Sequence, residues 1–159
     1  MKHFDARVTW RRAGQAVLDG RYSRAHCWQF DGGLSIPASS SPLSVPPPMS
    51  DPAAVDPEEA LVAAASSCHM LFFLSLAAER GLVVEHYDDA ARGLLGHDAA
   101  GRAALVRIEL RPAIAFAGDR QPDARELAAI HHLAHERCYI ANSLNTEVVV
   151  LEPQQDVQP

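Results

Sequence analysis

Residues 56–80 constrain the fold more than any other stretch of this chain. Asp56-Pro57-Glu58-Glu59 leads into Ala60-Leu61-Val62-Ala63-Ala64-Ala65-Ser66-Ser67-Cys68-His69-Met70, and apolar residues dominate from there to Ala78, with Gly81 beyond. Asp56 can accept from the unpaired amides of a first turn, Pro57 suits the first helical position, and two glutamates favour the positive end of the helix dipole. Gly81 suits the left-handed position past a helix end. The pattern predicts a helix from about Pro57 to Arg80, apolar on nearly every face. Ser66, Ser67, Cys68, His69 and Ser75 interrupt it, so a buried central helix is favoured over a membrane span. Such a helix needs more cover than one small sheet and one short helix supply, and a second subunit would provide it.

The remaining elements follow from shorter signals. Phe4, Ala6, Val8 and Trp10 alternate with polar residues as in a half-buried strand. Arg24 to Phe30 and Leu34 to Ala38 flank Asp31-Gly32-Gly33, a hairpin signature. Ser39 to Pro57 is rich in proline and serine and has neither period, which predicts an extended loop, and a loop this long in a small domain is usually functional or packed against a partner. Val83 to Gly96 and Ala103 to Ala117 read as two longer strands around His97-Asp98-Ala99-Ala100-Gly101. A second helix follows Gln121-Pro122-Asp123, with Leu127, Ile130, His131 and Ala134 on one face and an end between His135 and Asn142. Thr146 to Leu151 reads as a closing strand, and residues 152–159 as a flexible tail. The order is α+β, and 159 residues suit one domain, 1–159.

A net charge of −6, with basic residues scattered, disfavours a nucleic-acid or anionic-membrane surface. The first residues, Met1-Lys2-His3-Phe4-Asp5, hold no apolar export segment, so the cytoplasm is the default location. Three cysteines without CxxC spacing fit neither a secreted disulfide framework nor a four-thiolate zinc site.

Cys68 is the best handle on function. Its helical neighbours Ala64, Ala65, Leu71 and Phe72 carry no charge, so a reactive thiolate there needs a cation delivered from elsewhere in the fold or from a partner chain. Otherwise it is an inert core thiol. Glu58, ten residues earlier and about 15 Å along the helix axis, cannot meet Cys68 within one helix, and its plainest role is to complement the dipole. Cys138 stands near the end of the second helix, where a thiolate is disfavoured, so it suits a second thiol that condenses with an oxidised Cys68. Cys27, between His26 and Trp28 in a strand, reads as structural. A rival arrangement is a zinc site from His131, His135 and Cys138 with Cys68 or His69, although the acid of a H-E-x-x-H motif is missing and His132 and His69 face elsewhere.

The segment Asp56 to Cys68 resembles the N-P-E-x-L-x-x-A-x-x-x-C helix start of the OsmC/Ohr family of thiol peroxidases, in its OsmC-like branch. Ala134-His135-Glu136-Arg137-Cys138 resembles that family's A-H-x-x-C motif, and Asn142 to Glu147 follows its closing pattern. The resemblance implies an intertwined homodimer with active sites at the subunit interface, reducing organic or inorganic hydroperoxides without a cofactor or metal. It makes Cys68 the peroxidatic cysteine, Cys138 the resolving cysteine and Glu58 the acid that orients an arginine. Arg24 and Arg21 are the candidates, Arg24 preferred for its distance from the hairpin turn, and a dithiol such as a lipoyl group is the implied reductant. The chain departs from the family in its proline-rich Ser41 to Pro57 and in His69, where an apolar residue is common. A non-catalytic ligand-binding or redox-sensing dimer on the same fold stays open beside the peroxidase.

Overall fold

The computed structural model describes residues 1–151; the expected tail lies outside them. The chain forms two compact units, Met1–Ala60 and Leu61–Pro159.

In the first unit β1 (Ala6–Thr9), β2 (His26–Phe30) and β3 (Ser35–Ala38) make an antiparallel sheet in that order. Gly33 turns the hairpin with a φ of 84°, a conformation that costs a glycine little. The proline-rich segment holds no helix or strand before Pro57, as expected, and although much of it is exposed it is anchored at several points. Val55 bridges to Ala38, Asp51 N–H donates to Ser39 Oγ at 3.0 Å, and Ser39, Ser41, Ser50 and Asp56 are buried.

Helix α1 (Pro57–Glu79) begins and ends where its signals place it. Glu59 N–H donates to Asp56 Oδ1 at 2.8 Å, which caps the first turn. At the other end Leu82 N–H reaches Ala77 O and Gly81 N–H reaches Ala78 O, each at 3.0 Å, with Gly81 at a φ of 72°; this is a Schellman stop. The helix is less buried than its composition suggests. Ala65, His69, Phe73, Leu76 and Ala77 form one covered stripe, while Leu71 is 62% exposed. Among the described residues, full cover reaches only one face.

The two long strands expected after Gly81 are four. β4 (Val83–Asp89) pairs with β7 (Pro112–Ala117), and β5 (Arg92–His97) pairs with β6 (Ala103–Leu110), both antiparallel. The ribbon breaks where Pro112 has no N–H to give and where Asp89 Oδ1 takes the Arg111 N–H at 2.6 Å in place of a strand partner. β8 (Glu147–Val150) joins β6 in parallel, an exception to the otherwise antiparallel pairing. Two apolar clusters result. Phe73, Leu76, Ala77, Leu82, Ile130 and Ala134 form one, and Ala65, Ile108, Leu110 and Val148 the other. A side chain at Gly93 in β5 would put its Cβ 2.7 Å from Val62 Cγ2, so α1 packs there directly on strand backbone.

Helix α2 (Ala124–Arg137) starts at Asp123, whose Oδ1 accepts from Glu126 N–H at 2.7 Å. A four-residue helix, α3 (Tyr139–Asn142), follows immediately, with Cys138 as the joint.

Candidate active site

Cys138 is buried, and the Cys68 thiol is near enough to act on its ionisation. α1 presents Cys68, the α2–α3 joint presents Cys138, and both cysteines are free thiols. The sequence placed Cys138 at the negative end of a helix, but the structure gives it a second environment. Its backbone N–H still closes α2 on His135 O at 3.2 Å, while its Sγ caps α3 by accepting from Ala141 N–H at 3.4 Å. Burial pushes the Cys138 thiol up and the neighbouring Cys68 thiol adds to this, while the amides of Ala141 and Ile140 pull it down. Burial prevails, so Cys138 is a protonated thiol at neutral pH.

Beside Cys68 opens a cleft of about 480 Å³, walled by Leu71, Phe72, Ser75, Tyr139 and Ile140. Phe72 and Tyr139 meet edge to face with centroids 5.2 Å apart. No residue lining it carries a charge. The apolar shell read from helix spacing is therefore real, and this wall contains no cation to favour a thiolate.

Arg24 and Glu58 share a different cleft, in the first unit, of about 450 Å³, with Trp10, Tyr22, His26 and Ser40 among its walls. The guanidinium of Arg24 sits 3.7 Å above the Tyr22 ring and donates from Nη1 to Gly20 O at 2.9 Å and to Tyr22 O. The backbone beneath it is tied down by hydrogen bonds from side chains and from the main chain. Trp10 Nε1–H donates to Ser23 O at 2.9 Å, and Arg24 N–H donates to Met49 O at 2.7 Å. His26 Nε2 lies 2.9 Å from the Trp28 indole nitrogen, which can only donate, so His26 carries its proton on Nδ1 and gives it to Arg24 O at 2.7 Å. Glu58 Oε2 is buried and has no partner, and no ion pair joins it to Arg24 among the described residues. Arg21 is exposed and lines neither cleft described. Cys27 is half-buried, its thiol directed at Trp28 O, and it lines neither cleft.

Among the described residues no three His, Cys, Asp or Glu side chains gather as a metal would require. The histidines do something else. His69 does not face away from α2: its Nε2 lies 3.0 Å from His131 Nδ1, with the rings stacked. Sequence reasoning missed this pair, and also Asp89, which accepts from Ser66 Oγ and Arg111 N–H. The available signal was His131 on the apolar face of α2, a polar group that a core must satisfy.

These features define an α+β protein whose first long helix and second helix end join two thiols at an apolar cleft. Residues 50–152 match the model of the OsmC-like protein family, and the chain belongs to that family. It is 52% identical to an OsmC-like protein of unknown function from Vibrio cholerae O1, with a TM-score of 0.93 over 96% of this chain and 99% of that one. An organic hydroperoxide resistance protein from Legionella pneumophila shares the fold at 17% identity and a TM-score of 0.69, covering 96% and 98%. One from Elizabethkingia anophelis does so at 17% identity and 0.71, covering 96% of each chain. No curated protein matches the sequence.

Proposed function

We propose that this chain is a two-cysteine hydroperoxide reductase that works as a homodimer. The observation that carries the reading is the Cys138 thiol beside that of Cys68 at the edge of an apolar cleft. The Cys68 thiolate attacks the O–O bond, taking one oxygen as a sulfenic acid and releasing an alkoxide that leaves as the alcohol after protonation. Cys138 then attacks the sulfenic sulfur. An S–S bond forms, the S–O bond breaks, and hydroxide departs as water with the Cys138 proton. A dithiol such as a lipoyl group restores both thiols and becomes the disulfide.

The apolar cleft suits the organic part of an alkyl hydroperoxide better than bulk water does. The missing cation is Arg24 of a second copy, held by Glu58, whose unpartnered buried oxygen suits a guanidinium. The names of the Legionella and Elizabethkingia proteins are in keeping with this chemistry. Stopped-flow thiol oxidation with cumene hydroperoxide against hydrogen peroxide tests it. Cys68→Ser abolishes peroxide consumption, and Cys138→Ser allows one turnover and leaves a trapped sulfenic acid. No loss of thiol titre after stoichiometric cumene hydroperoxide would sink the proposal.

A second reading, a non-catalytic redox-sensing dimer, draws on Arg24 being held by the Gly20 and Tyr22 carbonyls rather than by Glu58. It expects slow, unselective oxidation of Cys68, which a fast second-order reaction with peroxide excludes.

A further inference from the structure

His69 follows the attacking cysteine on α1, is 1% exposed, and meets His131 on α2. The rings stack with centroids 5.3 Å apart and planes 11° from parallel, and Phe73 closes over His131 at 4.6 Å. One proton occupies the 3.0 Å between His69 Nε2 and His131 Nδ1. His69 Nδ1 is buried without a partner. We assign the shared proton to His69 Nε2, because this leaves only a lone pair unmatched at Nδ1, whereas the other tautomer strands an N–H there.

Neighbouring contacts between the helices are apolar: Phe73, Leu76 and Ala77 from α1, Ile130 and Ala134 from α2. Such contacts are non-directional and tolerate rotation or sliding of one helix on the other. A ring-to-ring hydrogen bond does not, since a shift of an ångström breaks it and leaves the buried His69 ring with neither nitrogen paired. Disulfide formation has the same geometric demand, with Cα atoms roughly 4.4–6.8 Å apart, and one helical turn of slip, about 5.4 Å, removes the second thiol from reach. Cys68 stands one residue before His69, and Cys138 seven residues after His131.

We propose that the His69–His131 hydrogen bond sets the register of α1 against α2 that brings Cys138 to Cys68, which makes both histidines positioning residues for the resolving step. That step belongs to the peroxidase reading, but disulfide formation between the two thiols does not depend on it. The pair works as neutral imidazoles: burial, with His131 and His135 acting on His69 and with Asp89 opposing on His131, keeps both well below the ordinary histidine range.

The test uses the full chain and two variants at one position. His69→Phe fills the site without the bond, and His69→Gln keeps an amide N–H where Nε2 stands. After one equivalent of cumene hydroperoxide, dimedone trapping follows the sulfenic acid and thiol titration follows the disulfide. His69→Phe is expected to form sulfenic acid at the wild-type rate but to close the disulfide at least about tenfold more slowly, equivalent to about 1.4 kcal/mol, and His69→Gln to restore closure. His131→Phe, which removes the bond from α2, gives the same measurement if His69→Phe does not fold. Wild-type closure in the Phe variant, or equal slowing in Phe and Gln, overturns the proposal. A parallel arm uses diamide, whose azo group takes both thiol hydrogens to become a hydrazine as the disulfide forms. It reports closure without peroxide, so a failed peroxidase reading and a failed positioning role give different results.

Discussion

The two units of this chain are built on opposite principles. From Leu61 onward, two clusters of fully buried apolar side chains hold the helices on the sheets. Before it, Ala38 is the one buried hydrophobic residue among those described, and the others buried are Ser39, Ser41, Ser50 and Asp56. Phe4 and Val8 are 88% and 64% exposed. The first unit is organised by hydrogen bonds and the second by apolar burial. In the first unit a guanidinium is held in place by carbonyls and a ring, while in the second Cys68 lines an apolar cleft.

This contrast can be broken experimentally, the largest effect first. Phe73→Ala empties a fully buried ring site and is expected to cost about 3–5 kcal/mol in urea unfolding; a cost near zero would mean the second unit does not rest on that cluster. Acid acts on the same unit. The imidazoles of His69 and His131 are held down to about 4, first by burial, against an ordinary 6.5. The unfolded chain therefore takes up protons below about 6.5 while the folded chain does not until about 4, so stability is whole above 6.5 and is lost as pH falls between the two. The loss is roughly 2–3 kcal/mol per group, read as a fall in urea midpoint from pH 7 to pH 4.5, and His69→Phe should remove about half of it.

Asp56→Ala in the first unit removes the α1 cap and is expected to cost about 1 kcal/mol, with α1 fraying from its start in amide exchange. Val8→Ala is the smallest change, less than about 0.5 kcal/mol in dilute protein for an exposed strand residue. An effect of Val8→Ala that grows with protein concentration would instead show that a second copy covers the strand.

How far the sequence could be read divides along the same line between local and non-local information. The start and stop of α1 were legible because Asp56, Pro57 and Gly81 act on their own turn. The hairpin at Gly33 was legible for the same reason. The break in the long ribbon was half legible: Pro112 stood in an apparent strand interior, but Asp89 taking the Arg111 amide is a pairing across 22 residues. At the candidate site, Cys68 and Cys138 lie near each other, and Arg24 and Glu58 do share a cleft. The setting of Cys138 at the head of α3 was hidden because one residue ends a helix and begins another. The His69–His131 pair was hidden more deeply, since nothing near either residue announces a partner 62 positions away.

Gly93 gives the helix a close seat on the sheet. The missing side chain lets Val62 rest on strand backbone, and a methyl there would stand 2.7 Å from Val62 Cγ2 and 3.2 Å from Leu105 Cδ2. An alanine methyl at position 93 would press on the Val62 and Leu105 side chains, and a valine would press harder. Cys68 rides on the same helix six residues on, about 9 Å along its axis. One backbone position in a strand therefore sets how closely α1, and Cys68 with it, can approach the sheet.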